Sequence, residues 1–476
     1  MRRTAFLITA VLVLLAGSWT AAEDVAGLPL HVKRLGPNTI RVWVGDYVSS
    51  TAVAAFATSK GVVVVDTVGI PRLDAELRKV IARELGRNDF AVLINTHEHS
   101  DHTMGNSVYE DCTIVGHANV AAGLSARAGD TARIVELRTR WLAESEEKLA
   151  TLDPGSKEAM KLKENLTFHR LNLEAMRAKV VPPTKTFTDR MKLPMGDTTF
   201  DMYYIGGMHS ASDIAILVPE QGLLLTGDTM ADAWLNETPG CLASFGARSG
   251  IPHDFPMWLA NWDAILARKA TITLLLPGHW NGELSLKGAE ARVAYVRGLW
   301  DDVNQAAKAG KSLAEVQAEL AIEKRFPDLA DSPGCNTRNN STTIAEIWKI
   351  ATNQKSAAET LYALADSGAP ASAIADVLAE RDKKQGAYFF DEAEINAQGY
   401  RLLQAKKVDQ AIVVFKANVH AFPDAWNTYD SLGEALLAAG NPAKAMKMYE
   451  KSLALNPESK SGREALAKLQ QIQAAK

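Results

Sequence analysis

Thr96-His97-Glu98-His99-Ser100-Asp101-His102-Thr103-Met104-Gly105-Asn106 decides how this chain is read. It follows Phe90-Ala91-Val92-Leu93-Ile94, an apolar, partly β-branched run short enough to be a buried strand. The histidines therefore lie on a loop leaving a strand. Buried imidazoles and carboxylates need partners, and His97, His99, Asp101 and His102 would compete for the same few. A divalent metal satisfies all four at once.

Upstream of this loop the pattern is strand after strand: Ile40–Val44, Thr51–Phe56 and Gly61–Asp66, each bounded by Gly, Asp or Ser. An amphipathic helix over Arg72–Leu85 follows. Downstream, three further polar motifs each close a strand-like run: Gly206-Gly207-Met208-His209-Ser210 after Phe200–Ile205, Thr226-Gly227-Asp228-Thr229 after Gly222–Leu225, and Pro277-Gly278-His279 after Ile272–Leu276.

With these motifs in this order, the region resembles the metallo-β-lactamase superfamily, whose His-x-His-x-Asp-His signature is matched by His97, His99, Asp101 and His102. The resemblance implies an α/β fold, an αββα sandwich of two sheets covered by helices. It also implies a dinuclear centre, with His97, His99 and His209 on one metal, Asp101, His102 and His279 on the other, and Asp228 bridging. The mix of imidazole and carboxylate suits two Zn²⁺ ions, and iron or manganese also fits such ligands. Two such ions share and acidify a hydroxide and polarise a carbonyl or phosphoryl oxygen, so the chemistry expected is hydrolysis. Asp101 and Asp228 are the candidate proton carriers, and Asp66, at a strand end, is expected to orient the histidine loop.

The substrate expected is a small ester, thioester, lactone or amide. β-Lactam hydrolysis is the alternative, placed second because Asp228 stands where antibiotic-hydrolysing members carry a metal-binding cysteine or a serine. The other histidines (His31, His117, His169, His253 and His420) are isolated and read as surface or core residues, with His117 and His253 near enough to the motifs to line a cleft. Glu98 reads as solvated. Between Asn119 and Val181 lies an insertion rich in helix formers and split by Pro154-Gly155, readable as a lid, a dimerisation hairpin or a covering layer. Pro239 to Trp258 reads as a loop over the cleft; Phe255, Trp258 and Trp262 are candidate substrate walls, and for at least two of them packing is the expectation.

After His279 the pattern turns helical. Ile395, Gly399, Leu402, Ala411, Phe415 and Pro423 recur 34 residues on as Tyr429, Gly433, Leu436, Ala445, Tyr449 and Pro457, which is similar to the tetratricopeptide period. Two repeats are fewer than a free-standing array needs, so they serve as a homodimer or protein-partner surface or as a stabilising appendage. A scaffold protein acting through these repeats is the reading from outside the enzymes. The expected divisions are a signal peptide at 1–22, a catalytic domain at 23–300 with its insertion at 119–181, a helical linker at 301–385 and repeats at 386–476.

At 47% hydrophobic and 23% charged the chain has a globular composition, and its formal charge of -4, with no basic run, gives no footing for nucleic-acid binding. Arg2-Arg3, the apolar stretch Ala5–Ala16 and the small residues Ala21-Ala22 have the three parts of a secretory signal, implying a periplasmic or secreted protein without a membrane anchor once it is cleaved. Cys112, Cys241 and Cys335 are too few for a disulfide scaffold.

Overall fold

The computed structural model describes residues 23–127, 131–230, 253–279, 286–330, 337–383 and 386–474. These form two compact units, one running to Ala294 and one starting at Tyr295. The expected signal peptide, Cys241, Cys335 and most of the expected loop from Pro239 lie outside the described residues.

The first unit is a sandwich of two sheets. One sheet holds β1 (Glu23–Val25), β2 (Leu28–Gly36), β3 (Thr39–Val44), β4 (Val53–Thr58), β5 (Gly61–Val65), β6 (Phe90–Ile94), β7 (Thr113–His117) and β8 (Lys185–Phe187), neighbours in chain order. Pairing is antiparallel as far as β5 and parallel from β5 to β8. The parallel strands β5 and β6 read as unbroken apolar runs because both of their faces are covered. The other sheet holds β9 (Arg190–Pro194), β10 (Thr199–Tyr204), β11 (Ile214–Val218), β12 (Leu223–Gly227) and β13 (Leu274–Pro277), in the order β13-β12-β11-β10-β9.

Strand alternation divides the side chains between two cores. Phe56, Val63, Val65, Val92 and Ile94 meet Phe200, Met202, Ile214, Ile216 and Leu225 between the sheets. Val53, Val62, Val64 and Leu93 face outward, where they pack against helix α1 (Pro71–Leu85) through Leu73, Leu77, Val80 and Ile81. That i, i+4, i+7, i+8 stripe is what a helix lying on a sheet requires. Each such fully buried side chain contributes about 1.5–3 kcal/mol. Helix α1 starts at Pro71, in the first turn, where its missing N–H costs nothing, and stops at Gly86 in the left-handed conformation (φ 64°).

Between β6 and β8 come the short helix α2 (Ser100–Thr103), α3 (Val120–Arg127), α4 (Thr131–Thr151) and α5 (Lys157–Ala175). α4 and α5 form the two halves on either side of Pro154-Gly155, with Ser156 capping α5 by accepting from Ala159 N–H. Phe168, Leu171 and Ala175 of α5 join the outward core, and Glu164 accepts the N–H groups of Tyr47 (2.5 Å) and Val48 (2.8 Å). α5 is thus a covering layer. On the other sheet, α6 (Phe255–Leu266) is capped by Asp254 and tied down by Asn261, which donates to the carbonyl of Tyr204 at 2.8 Å. Phe255, Trp258 and Trp262 are all buried on this helix rather than carried on a loop. Asp254 before Phe255-Pro256 is an N-terminal helix signal that the aromatic run masked.

α7 (Leu286–Lys308) crosses the boundary between the units. The second unit continues with α8 (Leu313–Glu319), opened by a capping box of Ser312 and Glu315, then α9 (Ile322–Arg325), α10 (Thr337–Ala351), α11 (Ala357–Asp366) and α12 (Ala371–Leu378). A two-residue parallel bridge of β14 (Lys355–Ser356) and β15 (Tyr388–Phe389) interrupts the helices. The repeat helices follow: α13 (Glu392–Gln404), α14 (Val408–Ala421), α15 (Trp426–Ala438), α16 (Pro442–Leu455) and the closing α17 (Lys460–Ala474). Within each repeat a glycine admits the ring of the paired helix: Gly399 faces Phe415, and Gly433 faces Tyr449. The repeats do not stand alone, because Leu361, Ala365 and Val377 of α11 and α12 share their core.

Candidate metal centre

The histidine loop leaves β6 at Ile94 and is held from beneath by Asp66, at the end of β5. Asp66 adopts φ 61°, a left-handed conformation that Asp tolerates better than most residues. This aims its carboxylate at the loop: Oδ1 accepts the N–H of Thr96 (2.8 Å), while Oδ2 accepts Thr96 Oγ1 (2.7 Å) and faces His102 Nδ1 at 2.9 Å. Thr96 Oγ1 also lies 3.0 Å from His97 Nδ1. Thr67 Oγ1 donates to the carbonyl of His102 at 3.0 Å, and Gly69 lies so close to Asp101 that a Cβ there would come within 2.5 Å of its Cα. The loop's shape is therefore dictated by the segment that follows β5.

Three other strand ends deliver the remaining groups. The turn after β10 is wrapped around buried Asp213, which accepts the N–H groups of Met208 (3.2 Å), His209 (2.8 Å) and Ser210 (2.9 Å). Asp228 follows β12 directly, and His279 follows β13, the parallel neighbour of β12. The His279 segment is pinned by Ala52 N–H donating to the carbonyl of Gly278 (2.8 Å) and by the buried Arg41, which donates to the carbonyls of Pro277 and His279. Ser49 Oγ lies 3.3 Å from His279 Nδ1.

All seven sequence candidates converge. The ligand atoms of His97, His99, His209 and Asp228 form one group and those of Asp101, His102 and His279 a second, the atoms of each within 4.8 Å of one another. Asp228 Oδ2 stands 3.0 Å from His279 Nε2, 3.4 Å from His102 Nε2, 3.4 Å from His209 Nε2 and 3.8 Å from His97 Nε2. Asp101 Oδ2 lies 3.4 Å from His279 Nε2 and 3.7 Å from His102 Nε2.

These residues fit a metal. His97 Nε2, His102 Nε2, His209 Nδ1 and Asp228 Oδ1 are buried with no hydrogen-bond partner, a costly state that a cation relieves. Most of the separations from Asp228 are too long for hydrogen bonds, whereas ligand atoms about 2.0–2.1 Å from a tetrahedral zinc stand roughly 3.3 Å apart. Electrostatics agrees. Burial, together with the neighbouring His102 and His99, holds His97 well below the usual imidazole range, so its lone pair is available. Burial opposes charge on Asp228, yet His279 and His102 hold its carboxyl well below the usual range. Burial opposes charge on His102 too, but Asp228, Asp66 and Asp101 raise it well above its ordinary value. The carboxylates around His102 favour a cation at this position, a proton or a metal ion.

Residues 43–279 match the family described as the metallo-beta-lactamase superfamily. The chain carries a metallo-β-lactamase superfamily domain. Both ligand clusters lie inside that matched region. Residues 426–469 match the tetratricopeptide repeat family. No curated protein matches the chain. Among solved structures it is similar to a stereoselective inverting sec-alkylsulfatase from Pseudomonas sp., at 13% identity and a TM-score of 0.41 over 90% of this chain and 66% of that one. The chain spans just under two thirds of that sulfatase. It is also similar to metallo-β-lactamases from Pontibacter korlensis (16% identity, TM-score 0.36, 56% of this chain and 99% of that one) and Hirschia baltica (14%, 0.36, 56% and 96%).

Outside the seven, the expectation for Glu98 fails as well. Glu98 is buried, not solvated: its carboxylate accepts from Ser212 Oγ and from the N–H of Ala211 (3.3 Å). His117 stacks on Tyr204 (4.0 Å between centroids), His31 stacks on Trp43, and His253 Nδ1 lies 3.1 Å from the carbonyl of Gly207. Cys112 is a buried free thiol. No helix among the described residues is long and apolar enough to cross a membrane.

Proposed function

We propose that this metallo-β-lactamase domain is a dinuclear zinc hydrolase acting on a small ester, thioester, lactone or amide in the periplasm or outside the cell. The single observation that supports it best is the placing of Asp228 Oδ2 within 3.0–3.8 Å of four imidazole nitrogens drawn from the histidine loop and from two other strand ends. On this reading His97, His99 and His209 hold one ion, Asp101, His102 and His279 hold the other, and Asp228 serves both. Two divalent cations there would supply a water acidified toward neutrality and Lewis-acid polarisation of the scissile carbonyl.

The chain's own residues do the rest. Asp66 and Thr96 fix the rings of His102 and His97, so the ligand lone pairs are aimed before substrate arrives. Asp228 is almost wholly enclosed, while the Asp101 side chain is 39% exposed, so of these two candidate proton carriers this reading assigns Asp101 to pass a proton to a leaving group. The partner reading of the repeats, as a homodimer or protein-partner surface, belongs to the second unit and is separate from the chemistry.

A panel of thioesters, lactones, carboxylic, phosphate and sulfate esters and β-lactams, run on protein of measured metal content, tests this reading. Turnover of the ester or lactone class that disappears with chelator and returns with zinc is expected. Turnover confined to β-lactams, or metal-independent turnover, would contradict it.

A further inference from the structure

Glu98 sits between His97 and His99, but its side chain does not join theirs. Its buried carboxylate reaches the segment after His209, accepting from Ser212 Oγ and Ala211 N–H. Ala211 is gripped from its other side as well, its carbonyl accepting from Asn119 Nδ2 (2.8 Å) and Tyr204 OH (3.3 Å). Helix α3, which opens the helical insertion, lies directly on this link: a Cβ on Gly123 would come within 2.2 Å of Glu98 Cγ. A buried carboxylate is costly to keep, and hydrolysis as derived above gives this one no role.

We propose that Glu98 is a positioning residue that clamps the His97–His102 loop to the His209 turn, fixing the spacing of His97, His99 and His209. Gly123 is the contact through which the insertion bears on that spacing. The inference rests on the reading of these histidines as metal ligands, and goes beyond it by assigning the link that sets their geometry. His99 Nδ1 and His209 Nε2 come from segments far apart in the chain yet lie 2.9 Å apart. Beside the backbone bond from Ile214 N–H to the carbonyl of Thr96 (2.9 Å), Glu98 ties those two segments through its side chain.

The test uses full-length wild type, Glu98→Ala, Glu98→Gln, Ser212→Ala and Gly123→Ala. Affinity for zinc is measured by competition with a chromophoric chelator, and the visible spectrum of the cobalt-loaded protein reports coordination geometry. Glu98→Ala and Ser212→Ala are expected to weaken one of the two ions about ten-fold and shift the cobalt bands, leaving the other ion in place. Glu98→Gln keeps an oxygen for Ser212 and loses less, and Gly123→Ala shifts the bands by pressing on Glu98. If Glu98→Ala does not fold, Ser212→Ala, which removes one hydroxyl, carries the test. Two ions bound to wild type, with Ser212→Ala and Glu98→Gln unchanged in affinity and spectrum, would overturn the clamp alone. Wild type that binds no divalent ion would overturn the hydrolase reading with it.

Discussion

Asp66 Oδ2 lies 2.9 Å from His102 Nδ1, which turns Nε2 of that ring toward Asp228 and Asp101. A carboxylate behind a ligand imidazole fixes its tautomer and raises its basicity. Asp66→Asn keeps a residue that tolerates the left-handed backbone but removes the charge. The variant should fold and lose roughly 10–100-fold in affinity for one metal. Isothermal titration with zinc measures this; unchanged affinity would show that the hydrogen bond is incidental.

Buried Asp74 accepts the N–H groups of Val68 (2.8 Å) and Ile70 (3.0 Å), bracing the turn whose Thr67 holds the His102 carbonyl. Burial outweighs those two donors and pushes its carboxyl from the ordinary 3.8 up to about 7. The folded state therefore binds this proton more tightly than the unfolded chain does. The resulting stability is complete below about 4 and is lost as pH rises through 7. Urea midpoints taken between those limits should fall with pH for wild type, after subtraction of the Asp74→Asn profile. A difference profile that is flat, or that rises with pH, would contradict this.

Gly278 packs so closely against Asp228 and His102 that a Cβ would lie 2.3 Å from Asp228 Oδ1 and 3.0 Å from His102 Cε1. Gly278→Ala must push one ligand aside. Elemental analysis after gel filtration should find at most one ion per folded Gly278→Ala chain, and a full complement would show the site to be more pliant than its packing implies.

In the repeats, a Cβ at Gly399 would meet Phe415 Cε1 at 2.4 Å, while one at Gly433 would stand 3.1 Å from Tyr449. Overpacking costs about 1–3 kcal/mol, against a helix-propensity gain of up to about 1 kcal/mol for Gly→Ala. Gly399→Ala should destabilise the second unit, and Gly433→Ala should leave it nearly neutral. Thermal melts of the full chain separate the two; equal shifts would mean that the first repeat relaxes.

The convergence of the seven candidate ligands was legible because four of them crowd into six residues and the rest close strand-like runs, so their signal is local. The β3–β6 core and the 34-residue repeat were legible for the same reason, carried by a period. Glu98 was not, since nothing near it in sequence reveals Ser212, 114 residues on. Asp213 and Arg41 are similar: one buries a carboxylate under the His209 turn, the other spans 238 residues to the carbonyl of His279, and neither belongs to a local motif. Trp258 and Trp262 misled because aromatic density outweighed the Asp254 cap.

On the proposed reading, Asp228 serves two metal ions at once. The most direct test of this is elemental analysis of full-length wild type beside Asp228→Ala, each saturated with zinc and then dialysed. Two ions per wild-type chain are expected, with at least one lost from the variant and far-UV circular dichroism unchanged. Wild type with no bound ion, or Asp228→Ala retaining both, would contradict it.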